Sequence, residues 1–146
     1  MARLLNDHGG EYQNEAEEEV VKKLLEELPD SYLIIPNIQF FHPHTGNIDE
    51  IDALVVGPRW VTVVETKGYS GRVIFGHFDH TVNGAQRTDP CQLTASKARR
   101  LVSFFDHLPP RERPWFTSQV ILARDPDFLQ IVPAKVNSVI RLSHAA

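Results

Sequence analysis

NIDEIDALVVGPRWVTVVETKGYSG, residues 47–71, holds two apolar, β-branched runs around a Gly57-Pro58-Arg59 break. Gly and Pro punctuate strands, so Ile48 to Val56 and Trp60 to Lys67 read as the two arms of a hairpin. With Pro58 and Arg59 as the loop, Gly57 pairs with Trp60. The register then sets Val56 opposite Val61, Asp52 opposite Glu65 and Glu50 opposite Lys67. Side chains alternate across a strand, which puts Val61, Val63, Glu65 and Lys67 on one face. Directly opposed residues hold their Cβ atoms about 4.5–5.5 Å apart.

Two carboxylates thus meet face to face with a lysine beside them. Like charges so placed destabilise a sheet and raise one pKa. Two arrangements offset the repulsion. A hard divalent cation such as Mg²⁺ takes one or two carboxylates and keeps several waters. Alternatively, Lys67 alone forms a structural salt bridge. The residues by themselves leave both open.

Asp52 followed, after a hairpin of apolar strands, by Glu65-Thr66-Lys67 resembles the PD-(D/E)-x-K nuclease superfamily. More narrowly, EIDALVVGPRWVTVVETKGYSG is similar to the NERD, or nuclease-related, domain. The family's run is an acidic or polar residue, Ile-Asp, an apolar strand, Gly-Pro, a second apolar strand, Glu-x-Lys and a Ser-Gly. This chain departs from it at Trp60, where Gly is common, and at Gly68, where Asn or Asp is common. Neither departure removes a catalytic group. The resemblance implies Mg²⁺ or Mn²⁺ held by Asp52, Glu65 and the Thr66 backbone carbonyl. It implies that Lys67 positions the attacking water or stabilises charge at phosphorus, and that DNA is the substrate.

The chain of 146 residues suits one domain with a substantial core, 42% of it hydrophobic and 23% charged. Its longest apolar runs are strand-sized, so neither a membrane span nor a signal peptide is expected. Cys91, the one cysteine, makes no internal disulfide and no thiolate zinc site by itself, which suits the cytoplasm. The net charge of −4 argues weakly against nucleic acid, but it is unevenly spread. Residues 1–30 carry −6 and residues 31–146 carry +2. The acidic excess is local to the first helix, leaving the remainder free to present a basic face.

Residues 1–13 read as a loose lead-in to a single domain over 14–146. Asn14 is an N-cap, with Glu17 three residues on in a capping-box pattern, and Pro29-Asp30 stops the helix after Leu28. Val20, Val21, Leu24, Leu25 and Leu28 form its apolar stripe. Glu17 borders that stripe; related nucleases often carry a helical Glu at the active site, which makes Glu17 the candidate and Glu18 the runner-up. The plain alternative is that Glu17 only caps the helix. Tyr32 to Phe41 is the first strand expected, with Pro36 marking an edge or bulge. His42 and His44 read as turn residues, and His77 and His80 as rim residues.

After the hairpin, Arg72 to Phe78 is expected as a strand, with Thr81 to Asn83 pairing back before an Asn83-Gly84 turn. Asp89-Pro90 opens a second helix reaching about His107, with Leu93, Leu101, Phe104, Phe105 and Leu108 as apolar positions. The resemblance extends to Gln92, which in such nucleases approaches the active site; its other reading is an exposed first-turn residue. Phe116 to Ala123 and Val139 to Leu142 complete the strands. The order of elements gives an α/β domain with a mixed central sheet flanked by helices, and the resemblance makes it a restriction-endonuclease-like core.

Arg72, Lys97, Arg99, Arg100, Arg111 and Arg113 are candidate contacts to the DNA backbone, with Arg87 an alternative. The leading function is a metal-dependent DNA endonuclease in DNA processing or defence against foreign DNA. The alternative is a catalytically inactive module that binds DNA or a protein partner. Domains of this kind commonly precede kinase, helicase or other modules, so the chain reads as a whole small protein or the leading piece of a larger one.

Overall fold

A computed structural model describes residues 1–5, 14–42 and 45–142. The chain runs β1 (Arg3–Leu4), α1 (Glu15–Glu27), β2 (Leu33–Phe41), β3 (Ile48–Val56), β4 (Trp60–Lys67), β5 (Arg72–Phe75), β6 (His80–Val82) and β7 (Ala85–Gln86). It continues with α2 (Pro90–Val102), β8 (Trp115–Leu122), β9 (Phe128–Ile131) and β10 (Val139–Arg141). Six strands form the main sheet in the order β1-β2-β3-β4-β8-β10, and four form a smaller one, β7-β6-β5-β9. The main sheet is mixed, with β2, β3 and β4 antiparallel and β4, β8 and β10 parallel. Parallel strands need a long crossover. Here the β4-to-β8 connection carries β5, β6, β7 and α2.

The hairpin folds as its residues dictate. Gly57 N–H donates to Trp60 O at 2.8 Å, and Val56 pairs with Val61, Val55 with Thr62, Leu54 with Val63 and Ala53 with Val64. Alternation then sends the two sides of β3 and β4 to different helices. Ala53, Val55 and Val64 pack with Val20, Val21 and Leu24 of α1, while Leu54, Val61 and Val63 pack with Ala98 and Leu101 of α2. Full burial of each Val or Leu among them is worth about 1.5–3 kcal/mol, so these two contacts fix both helices against the sheet. A third cluster joins Val73, Phe75 and Val82 of the small sheet to Val120 and Leu122 of β8. This is a restriction-endonuclease-like α/β core.

Several boundaries differ from expectation. Arg3–Leu4 pairs in parallel with Leu33 and Ile34, so the lead-in begins as a strand; residues 6–13 lie outside the described residues. Pro36 is accommodated because β1 covers only Leu33 and Ile34, leaving β2 an edge beyond them; Asn37 follows at φ 52. The strand expected to reach Phe78 stops at Phe75, where Gly76 opens a turn. The second helix ends at Val102 and passes into a 3-10 turn over Ser103–Phe105 instead of continuing to His107. Leu93 is 47% exposed, not core, because α2 buries Cys91, Thr94, Ala98 and Leu101. β9 carries too short and mixed a pattern to be foreseen. His44 lies outside the described residues.

Candidate active site

The ladder between β3 and β4 stops at Ala53 and Val64. Beyond it, Asp52 Oδ2 accepts the Thr66 N–H at 2.8 Å, replacing a strand-to-strand bond. β3 stays with β2 as far as Ile48–Phe41, while Glu65, Thr66 and Lys67 stay with β8. The two strands therefore part where two carboxylates would have been directly opposed, an arrangement that like charge disfavours. The expected Glu50–Lys67 pair does not form. Glu50 stands opposite Gln39, which donates to its carboxylate at 3.2 Å.

Around this gap lie Glu17, Asp52, Glu65, Lys67 and Lys97. Asn14 caps α1 by accepting the Glu17 N–H at 2.9 Å, and Glu17 itself is 4% exposed. Burial raises the Asp52 pKa to about 6; the Thr66 N–H opposes that rise, and the charge of Glu17 and a side-chain hydrogen bond with it add to it. Burial also raises Glu65, with the Asp52 charge next, against the lowering pull of Lys67 and Lys97. Lys67 Nζ stands 3.3 Å from Glu65 Oε1 and Lys97 Nζ 3.8 Å from Oε2. Lys97 also donates to Glu50 O at 2.6 Å, tying α2 to β3. The cluster opens into a cleft of about 290 Å³ lined by Glu65, Lys67, Tyr69, Arg87, Leu93 and Lys97.

A larger hollow of about 670 Å³ lies away from this cluster, at His42, Asp49, Arg100 and Phe104. Its polar groups satisfy one another: Arg100 donates to both Asp49 oxygens at 2.6 and 2.9 Å, and His42 Nε2 lies 2.8 Å from Asp49 Oδ2. Arg100, followed by His42, holds the Asp49 carboxyl below its usual range against the opposing effect of burial. Size alone therefore misleads here, because Glu65, one of the two carboxylates of raised pKa, lines the smaller cleft.

Other residues singled out in the sequence are scattered. Gln92 is exposed and lines a separate hollow with Asp89, Cys91 and Lys135, not the cleft of Glu65. Arg100 is committed to Asp49, and Arg113 to the carbonyls of Leu108 and Asp106 at 2.8 and 2.9 Å. Arg72 lies over the Phe128 ring at 4.2 Å, and Arg99 bonds Ser96 Oγ at 2.9 Å; Arg111 is exposed. Glu18 pairs with Lys22 at 3.2 Å instead of entering the cluster. Lys97, read from sequence as a phosphate contact, instead joins the carboxylates. Its signal was its spacing, four residues after Leu93 and seven after Pro90 on one helical face. Treating Leu93 as core obscured which way that face points. Tyr69 and Arg87 also line the cleft; Tyr69 carried no comparable signal in sequence, and Arg87 was read there as an alternative contact to the DNA backbone.

The donor set can be tested against a metal. Among the described residues no group of three or more His, Cys, Asp or Glu is arranged to hold an ion. No sulfur or imidazole donor lies among Glu17, Asp52, Glu65, Lys67 and Lys97. What remains is hard: two carboxylates of raised pKa, with one Asp52 oxygen already occupied by Thr66 N–H. That suits a small oxygen-seeking cation that keeps its own waters.

A restriction-endonuclease-like sheet whose central hairpin ends in Asp52 and Glu65-Thr66-Lys67 defines the PD-(D/E)-x-K class. Within it, residues 13–123 match the nuclease-related domain, and the chain belongs to that family. It is similar to an uncharacterized protein of Bacillus anthracis, 33% identical over 69 residues, which are 47% of this chain and 32% of that protein. The matched segment thus spans about a third of that relative's length. No solved structure gives a significant match. Among the described residues, no helix is long and apolar enough to cross a membrane.

Proposed function

We propose that the chain is a divalent-metal-dependent DNA endonuclease of the cytoplasm, hydrolysing phosphodiester bonds in DNA processing or defence against foreign DNA. The supporting observation is the parting of β3 and β4 at Asp52 and Glu65, which leaves two carboxylates of raised pKa beside two lysines, with Glu65 and both lysines lining one cleft. Asp52, Glu65 and the Thr66 carbonyl would hold Mg²⁺ or Mn²⁺. When bound, such an ion neutralises the acidic pair and supplies Lewis acidity toward a phosphate oxygen and its own water.

The protein's part is placement. Glu17 and the Thr66 N–H orient the Asp52 carboxylate. Lys67, sharing a strand face with Glu65, brings an ammonium to the cleft where negative charge develops on a phosphoryl group. Lys97 holds the other Glu65 oxygen in place from α2. Arg87, exposed on the opposite wall, meets the phosphate backbone without reading sequence. Catalysis is tested by nicking and linearisation of supercoiled plasmid with Mg²⁺ or Mn²⁺ and a chelator control. Absence of cleavage on every DNA form, with DNA binding retained, would replace this reading with that of a binding module for DNA or a protein partner. A further domain supplying chemistry or targeting fits the greater length of the Bacillus relative.

A further inference from the structure

Phe78 is fully exposed in the turn joining β5 to β6, yet that turn is held on both sides. Gly76 N–H donates to Asp79 O at 2.8 Å, and a Cβ on Gly76 would lie 2.0 Å from Asp79 Oδ1, so a larger residue would have to displace the Asp79 side chain. Lys135 Nζ donates to Gly76 O at 2.5 Å and to Asp89 Oδ2 at 2.6 Å, fastening the turn to the N-cap of α2. Beneath it, His80 is buried, with its ring 4.4 Å from that of Phe75. Phe78 lies beside the His77 ring, with centroids 6.2 Å apart. The fold thus presents an aromatic face firmly and gains no core from it.

Between this turn and α2 lies a hollow of about 320 Å³ that includes Asp89, Gln92 and Lys135. Thr88 and Pro90 line the Glu65 cleft while Asp89 and Cys91 line this hollow, so the first turn of α2 alone separates the two. We propose that His77, Phe78 and Gln92 form a stacking subsite for an unpaired base of the strand whose backbone occupies the cleft, which rests on the nuclease reading. Every base has a π-face that an aromatic can stack on, and in a duplex both faces are covered. Gln92 offers an amide donor and acceptor to a base edge. The polar surroundings of Phe78 lack the contiguous apolar core of a protein interface.

The experiment is fluorescence anisotropy of a labelled single-stranded oligonucleotide and its duplex, with chelator present to prevent cleavage. Phe78→Ala should weaken single-strand binding by about tenfold, leave duplex binding unchanged, and be rescued by Phe78→Trp. Parental single-strand affinity in Phe78→Ala, equal losses on both DNA forms, or no single-strand binding by the parent would each overturn the subsite. Plasmid nicking with metal, run alongside, separates the two readings. A parent that nicks, with Phe78→Ala binding normally, removes the subsite alone. A parent that cleaves no DNA but binds single strands through Phe78 removes the nuclease reading and keeps the subsite.

Discussion

Asp52 is a buried carboxylate whose ionisation works against the folded state. Burial lifts its folded pKa from 3.8 to about 6, so across that interval the folded state binds more protons than the unfolded one. Stability is therefore greatest below the unfolded value and is lost as pH rises through the folded one. With chelator present, Asp52→Asn should melt above the parent at pH 7, by on the order of 3 kcal/mol at most, and gain nothing near pH 4. Melting curves over that range check it; a parent whose stability does not fall relative to the variant would mean that Asp52 is well solvated. The lysines divide differently. Lys67→Ala should keep metal binding by calorimetry but lose about two or more orders of magnitude in plasmid cleavage. Lys97→Ala should lose activity and thermal stability together, because that side chain also ties α2 to Glu50 O. Near-parental cleavage by folded Lys67→Ala would remove its proposed role.

At the scale of elements, α1 shows how a cap serves a site. Asn14 accepts the Glu17 N–H and reaches the Glu17 carboxylate with its own amide at 3.4 Å. Asn14→Ala should therefore destabilise the fold by about 1 kcal/mol and also lower cleavage, since Glu17 loses its anchor beside Asp52. Thermal melts and plasmid cleavage measured together test the coupling; loss of stability with full activity would leave Glu17 as a helix cap only. This helix was legible in sequence because cap, stripe and stop agree. α2 was legible at its start, where Asp89 caps and Pro90 sits at the first turn, but not in its rotation. Four apolar or small side chains, Cys91, Thr94, Ala98 and Leu101, outcompeted Leu93 for the sheet, and only packing shows that.

Across the whole molecule, basic residues that looked equivalent in sequence fall into two groups. Arg100, although exposed, and Arg113 tie parts of the fold together through Asp49 and the carbonyls of Leu108 and Asp106, whereas Arg87, Arg99 and Arg111 are exposed, with Arg99 bonded to Ser96 of its own helix. If DNA lies along α2 and its flanking loops, replacing the exposed three with Ala should flatten the salt dependence of DNA affinity by about 0.9 in log–log slope per lost phosphate contact. Arg100→Ala should lower the melting temperature and leave the slope unchanged. Titrations at several salt concentrations decide; an unaltered slope in the triple variant would move the DNA to another face, such as that of Arg72.

The Asp52 and Glu65-Thr66-Lys67 run carried the resemblance to the family, and the sequence by itself determined the hairpin, its register over Ala53–Val56 and the cap of α1. Those follow from local rules: alternation in strands, turn chemistry at Gly57-Pro58, and capping at Asn14. Only the tertiary structure decided that the ladder opens below Ala53, that Lys97 turns in to Glu65 while Arg100 is taken up by Asp49, and that Gln92 stands beside Phe78 and away from the cleft. Each of these depends on which face of a helix wins the sheet and where opposed charges force two strands apart. Those outcomes are set by contacts between residues distant in the chain, which no local pattern records.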